Sequence, residues 1–335
     1  MIHYLIRRLI TAVLMLVALS VVSFAIIELP PGSAAESMRS TDWSMMGDLE
    51  ARAEFIAELE KIWGLDGPIH KRYFNWVSGI VTKGNFGYSF TRQRHVELII
   101  KERLPTTIMI GLVVLFFQYI VAVPMAIISA VKQYSVVDHS MTFFSFLGMS
   151  IPNFLLAIIL IILFHFQFFP GWPVGGLVSP EYSDVAWDWD KFVDFTKHLV
   201  IPVIVIGTAV TATTIRILRA TMLDEFGQEY MRVARAKGLP EYRIILKYPL
   251  RIAINPILAS VGWSLPVIIG GNVIISIVMD LPDLGPILYN ALLQQDPYLS
   301  GSILFVLSTL TIIGTLISDI LLALSDPRID YTEAK

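Results

Sequence analysis

Long apolar runs separated by short polar stretches set the plan of this chain. A bilayer core takes about 20 consecutive apolar residues in a helix that rises about 1.5 Å per residue. Six segments meet that length: Leu9–Ile27, Leu104–Val131, Met141–Phe169, Leu199–Ile215, Ile252–Met279 and Ile303–Leu324. They predict six membrane-spanning helices. The fourth is the weakest, because it holds Pro202, Gly207, Thr208, Thr211, Thr213 and Thr214. Proline and glycine are tolerated in such helices where neighbours re-satisfy the backbone. Between the first and second runs, residues 28–103 also carry a helical pattern. Leu49, Phe55, Ile56, Leu59, Ile62 and Trp63 predict a helix over Asp48–Trp63, ended by Gly64. A second helix is predicted over Ile69–Ile80, and Val96–Arg103 leads into the second span. This segment reads as a small helical cap.

Composition agrees with a membrane protein. Of 335 residues, 55% are hydrophobic and 16% charged, with a mean hydropathy of +0.66. The net charge of −3 decides little; the placement of the charges decides more. Arg7 and Arg8 precede the first run and Ala34-Ala35 follows it, as in a signal peptide. A 19-residue uncharged core exceeds the apolar stretch of about 7–15 residues of such a peptide, so an uncleaved span is expected. With the N-terminus inside, segments 1–8, 132–140, 216–251 and 325–335 hold 13 Lys plus Arg. The short outer loops 170–198 and 280–302 hold only Lys191 and Lys197. That asymmetry places both termini in the cytoplasm. Residues 28–103 hold ten, but a loop of that length escapes the rule. The expected division is 1–27 for the N-terminus and first span, 28–103 for the extracytoplasmic cap, 104–324 for a five-helix core and 325–335 for a cytoplasmic tail.

The most informative polar segment is Arg216–Arg251, between two apolar runs. It reads as helix, turn, helix. Phe226, Tyr230, Val233 and Ala234 fall on one face at helical spacing. Gly238 suits the left-handed position after a helix. Pro240 suits the first position of the next helix, which is expected to stop near Pro249. A bland reading also exists, since juxtamembrane Lys and Arg often only set topology. The ordered helix–Gly–Pro–helix pattern favours a docking segment.

Known chemistry is missing from the rest. There is no cysteine, hence no disulfide or thiolate site. The six His residues form no pair at metal-ligand spacing, and no metal site is expected. There is no G-x-x-x-x-G-K-[ST] loop, no H-E-x-x-H and no G-x-S-x-G, so no catalytic residues are assigned. Nothing points to a nucleic-acid partner. Polar residues within the spans include Gln118, Asn153, His165, Asn272, Ser276 and Asp319. Such groups face a bundle interior or a cavity. For Gln118 and Asn153, interhelical hydrogen bonding is favoured. Asn272 follows Gly270-Gly271, which suits either close helix packing or a translocation path. Asp319 is expected to pair with an Arg or Lys on the inner side. The outer loop 170–198 is acidic and aromatic, and its tryptophans read as interfacial anchors.

Four separated blocks carry a family resemblance. They are Leu65-Asp66-Gly67-Pro68 with Tyr73 and Trp76; Gly84-Asn85-Phe86-Gly87-Tyr88-Ser89 followed by Arg103-Leu104-Pro105-Thr106-Thr107; Arg232–Gly238; and Leu281-Pro282-Asp283-Leu284-Gly285-Pro286 followed by Gln295-Asp296-Pro297-Tyr298 and Asp326-Pro327-Arg328-Ile329-Asp330-Tyr331. In this order, on this topology, the chain resembles the membrane permease subunit of the dipeptide/oligopeptide/nickel branch of ABC importers. The resemblance implies an all-α membrane fold of the type I importer kind, with six spans and the helical cap between the first two.

It also implies an ATPase-coupling loop carried by Glu229, Tyr230, Arg232, Ala234, Arg235, Ala236, Lys237, Gly238 and Leu239. Implied partners are a second homologous permease, two ATPase subunits, an extracytoplasmic solute-binding protein and the lipid bilayer of a prokaryotic inner membrane. No cofactor is expected in this chain; ATP and Mg are expected on the partner ATPases. The expected function is to form half of a pathway for di- and oligopeptides, with Asn272, Ser276, Gln118 and Asn153 as pathway candidates. The chain departs from the branch at Arg232-Val233-Ala234, at Ser276 where many members carry glutamate, and at Pro282-Asp283-Leu284-Gly285. Oligosaccharide cargo therefore stays open, as does a different class of reading, a membrane receptor or scaffold with a basic docking loop.

The orientation is testable on a chain without native cysteine. Single cysteines at Ser183 and Ser300 are expected to react with an impermeant thiol reagent added to intact cells, and one at Gln228 is not. Labelling of Gln228→Cys from outside would reverse the topology.

Overall fold

The computed structural model describes residues 2–28, 67–89, 91–270 and 272–325. The helix expected at Asp48–Trp63, the Leu65-Asp66 pair, Gly271 and the tail beyond Ser325 lie outside the described residues. Helix α1 spans Ile2–Glu28 and α2 Ile69–Lys83. A short antiparallel pair follows, β1 Tyr88–Ser89 and β2 Arg94–His95, with Tyr88 opposite His95. Then come α3 Val96–Val131, α4 Val136–Ser150, α5 Asn153–Ile162 and α6 Trp189–Phe226. Three short helices, α7 Glu229–Ala236, α8 Glu241–Lys247 and α9 Pro249–Ala253, and a longer one, α10 Asn255–Gly270, continue the chain. The last are α11 Val273–Val278, α12 Leu284–Leu293 and α13 Pro297–Ser325. Among the described residues, four helices are long and apolar enough to cross a membrane, or six if each of two bent pairs is one span.

Two expected spans are not single helices. The run Met141–Phe169 breaks at Ile151-Pro152, where the helix axes turn by 105°. Proline pushes the residue before it out of the helical region, and Ile151 is extended at φ −86° and ψ 123°. The run then ends in a π-helical turn over Leu163–Phe168. The run Ile252–Met279 breaks twice. Its first break lies between Ala253 and Asn255, where the helices on either side meet at 42°, beside Pro256, which has no N–H to donate. The second lies at residues 271–272, between α10 and α11.

The fourth span differs in the opposite direction. Leu199–Ile215 is only the middle of α6, a helix of 38 residues that continues through Pro202. The chain divides into two compact units. Within the first, Met1–Ile10, Ile108–Pro282 and Leu310–Lys335, α4, α5, α9 and α10 all pack on α6. Pro202, Gly207, Thr211 and Thr214 are buried there. Thr213 and Thr214 satisfy themselves by donating to carbonyls one turn back, Thr213 to Ala209 at 3.2 Å and Thr214 to Val210 at 2.9 Å. Gly207 admits the Phe117 ring: a Cβ there would lie 2.6 Å from Phe117 Cδ1. The low hydropathy of this run reflects a helix that contacts protein, where small residues allow close approach. As expected, Asp319 pairs with a basic residue, Arg8 Nη1 at 3.3 Å.

The second unit comprises Thr11–Thr107 and Asp283–Thr309. Here three of the sequence blocks meet. Trp76 is buried between Phe24 and Phe305, with ring centroids 5.9 and 5.7 Å away. Its Nε1 donates to Phe86 O at 3.2 Å, which also accepts from Ser302 Oγ at 3.1 Å. Gly87 sits at φ +107°, and a Cβ on it would lie 2.6 Å from the Tyr298 ring. Asp296 is fully buried and starts α13. Its carboxylate accepts from Ser89 Oγ at 2.6 Å, Thr91 Oγ1 at 2.7 Å, Thr91 N at 3.3 Å and Leu299 N at 3.1 Å. Thr107 Oγ1 accepts from Leu284 N at 3.0 Å. The hairpin β1–β2 had no signal in the periodicity; the block around Gly87 is the turn that delivers it to Asp296.

Ser300 is 4% exposed and donates to Asp296 O, so it corrects the labelling experiment: a cysteine there is shielded, and Gln294, exposed on the same segment, takes its place. Asp296→Ala removes the carboxylate that accepts from the buried Ser89 and the half-buried Thr91, at a cost of about 1–3 kcal/mol. Thermal unfolding of the purified chain in detergent is expected to show a clearly lowered midpoint. An unchanged midpoint would mean that the carboxylate does not hold the hairpin.

Candidate functional site

The segment after α6 is built from its backbone turns. Helix α6 stops at Phe226, Gly227 follows, and Gln228 is extended at φ −75° and ψ 149° before α7 begins. Helix α7 ends at Ala236, Lys237 caps it, and Gly238 takes φ +70° with its N–H on Arg235 O at 2.9 Å. The left-handed residue expected at Gly238 is therefore present. Pro240 precedes α8 rather than opening it: it stands at φ −67° and ψ 141°, and Glu241 is the first helical residue. Helix α8 ends at Lys247, and Pro249 opens α9.

Helices α7 and α8 share a small core. Met231, Ala234 and Ile244 are buried, with Phe226, Tyr230, Leu239 and Tyr248 packed around them. The Tyr230 and Tyr248 rings lie 6.1 Å apart. Tyr230 donates its hydroxyl to Glu225. Burial, that hydrogen bond and the Glu225 charge hold the phenol above its ordinary pKa. Arg235 Nε donates to Glu241 Oε1 at 2.8 Å across the turn. The segment is tied to α6 by Thr221 Oγ1, which donates to Ala253 O at 3.3 Å.

One expectation fails. Val233 is 53% exposed, and Met231, not singled out, is the fully buried anchor. The spacing from Phe226 to Val233 assumed one continuous helix. The extended Gln228 resets the phase, so positions on α7 must be counted from Glu229. The apolar spacing Met231–Ala234 was the available signal. The outer surface consists of Glu229, Arg232, Ala236 and Lys237, all exposed, beside Val233. Tyr242 at 59% and Leu246 at 55% exposure extend it on α8. Arg232 and Glu229 face each other loosely at 3.9 Å and remain in solvent. The segment is thus a preformed two-helix body with apolar and basic side chains turned outward.

The four pathway candidates fall at different places in the first unit. Asn272 and Ser276 are buried at 7% and 1% exposure. Asn272 Nδ2 donates to Ile268 O at 2.8 Å, capping the end of α10, and Ser276 N donates to Asn272 O at 2.9 Å. Gln118 is fully buried on α3 and donates to Thr214 Oγ1 on α6 at 2.7 Å, the interhelical bond expected of it. Its Oε1 and Thr211 Oγ1 are buried without a hydrogen-bond partner among the described residues. Asn153 is half-buried at the start of α5, after Pro152. No group of three His, Cys, Asp or Glu able to hold a metal occurs among the described residues.

With this geometry in place, similarity to known proteins becomes informative. Residues 122–331 match the family model "Binding-protein-dependent transport system inner membrane component". Residues 1–111 match the model for the N-terminal part of such membrane components. The oligopeptide transport system permease protein AppB of Bacillus subtilis is 33% identical over 98% of this chain and 99% of its own length. The corresponding OppB protein of Haemophilus influenzae is 32% identical over 99% and 100%. The dipeptide transport system permease protein DppB of Escherichia coli is 29% identical over 99% of each. The match covers both compact units and the two-helix body between α6 and α10, and the chain belongs to the family of binding-protein-dependent transport system inner membrane components.

Proposed function

We propose that this chain is one of two homologous membrane subunits of an ATP-driven importer of di- and oligopeptides. The observation that carries the reading is the two-helix body formed by α7 and α8, in a chain that matches peptide permeases from end to end. In this reading the body docks in a groove of an ATPase subunit, with Val233, Tyr242 and Leu246 as apolar contacts and Arg232 and Lys237 at the rim. Two ATPases hold ATP and Mg. A second permease completes the pathway, and an extracytoplasmic solute-binding protein delivers the peptide. Both termini lie in the cytoplasm.

The coupling step follows from rigidity. Met231, Ala234 and Ile244 make α7 and α8 one body, so a push on α7 is not absorbed between them. When ATP closes the ATPase pair, the body moves with its groove and carries the end of α6. Nucleotide and cargo then shift the balance of inward- and outward-facing states only through their different affinities for the two.

Two substitutions test this. Gly238 has no neighbour within 4 Å of an added Cβ, so Gly238→Val acts through the backbone alone, at a cost above about 1 kcal/mol at positive φ. Co-purification of the ATPases and substrate-stimulated hydrolysis are expected to be lost while the subunit still inserts. Gly238→Asn, which tolerates that conformation, is expected to retain both. Normal stimulated hydrolysis in the valine variant would remove the docking role. For the pathway, Asn272→Leu strips the Ile268 carbonyl of its donor and the site of its amide. Transport into proteoliposomes is expected to drop while the complex still co-purifies. Full transport would leave Asn272 as a packing residue.

A further inference from the structure

An ion pair not used above, a buried carboxylate with a half-buried guanidinium, stands at the α3–α4 turn. Asp138 lies in the first turn of α4, and its side chain is 3% exposed. Arg219 of α6 binds it with two parallel hydrogen bonds, Nε to Oδ1 at 2.8 Å and Nη2 to Oδ2 at 2.7 Å. Ser129, near the end of α3, donates to Oδ1 and itself accepts from Arg219 Nε at 3.1 Å. The backbone N–H of Tyr134 donates to Oδ2 at 2.9 Å. Tyr134 has φ +62°, a conformation a tyrosine rarely takes, so the turn is shaped around the carboxylate. Ser135 caps α4 by accepting from Asp138 N at 3.3 Å.

The local explanation is that Asp138 only completes that cap. A capping carboxylate binds backbone N–H groups at its own helix end. This one also takes a two-pronged guanidinium from a different helix and a hydroxyl from a third. Three helix ends therefore share one carboxylate. Arg219 stands seven residues before Phe226, where α6 ends, and the helix is unbroken between them. What moves the end of α6 moves Arg219.

We propose that Asp138 and Arg219 are positioning residues for transport, whose ion pair makes α4 follow the end of α6 when the two-helix body is displaced. Without the pair, α4 and α6 stay packed but the fork no longer fixes their register, and less of the displacement reaches the helices beyond the Ile151-Pro152 bend. The inference rests on the coupling reading above. A buried ion pair contributes little net stability against apolar side chains of similar size, yet fixes geometry. Its value here is directional: fork-to-carboxylate geometry resists sliding as well as separation.

The experiment uses the full complex, reconstituted with its partners. In Asp138→Leu/Arg219→Met both charges leave together, so neither is stranded. The complex is expected to assemble and to hydrolyse ATP on adding substrate, while peptide transported per ATP falls about tenfold, a typical coupling magnitude. In a second variant, Arg219→Lys, the charge stays while the two-pronged geometry is lost, and transport per ATP is expected to fall with assembly and stimulated hydrolysis kept. Wild-type transport per ATP in the double apolar variant would overturn the proposal. So would loss of assembly in it, which would make the pair a folding element, or full coupling in the lysine variant. If the wild-type chain fails to co-purify with ATPases, it is the coupling reading that falls, before any variant is made.

Discussion

The packing of four helices around Trp189–Phe226 is the constraint on which the first unit depends. A helix surrounded by protein does not need the hydropathy of one surrounded by lipid. It needs small side chains at its crossings and polar side chains that satisfy themselves. Gly207 against Phe117, and Thr213 and Thr214 bonded to carbonyls of their own helix, meet those needs. Once this helix is central, the others can break. The 105° turn at Ile151-Pro152 and the interruption at Asn272 leave backbone groups that only a protein environment, or a capping side chain such as Asn272, can satisfy.

The second unit rests on a different principle. Its organising feature is a single buried carboxylate, Asp296, which gathers the hairpin and the start of α13. The blocks that carried the family resemblance are the parts of this arrangement: Trp76 from one, Phe86 and Gly87 from another, Asp296 and Tyr298 from a third. They are far apart in sequence and adjacent in space. Each is meaningless without the others.

How much could be read from the chain followed from how local the physics was. Apolar run length located the membrane helices, and Gly238 declared its own left-handed turn. Asp319 had to find a cation, and it did. What stayed hidden depended on contacts distant in sequence. The buried Met231 was masked because the extended Gln228 reset the helical phase. The length of α6 was underestimated because hydropathy measures affinity for lipid, and most of that helix's apolar stretch is buried against protein. The role of Asp138 was hidden in a short polar turn. The Ser135-x-x-Asp138 cap signal was legible there, but its partner Arg219 was 81 residues away.

The two-helix body has one more implication. Val233, Tyr242 and Leu246 hold more than half of their surface in water, on a part of the chain that lies outside the apolar runs. A subunit in this form is chemically unfinished. Until that face is covered, it presents the same kind of surface that chaperones and proteases use to recognise unfolded chains. In the docking reading proposed above, the abundance of the subunit follows the supply of whatever covers that face, and orphan copies are open to removal through the same helices.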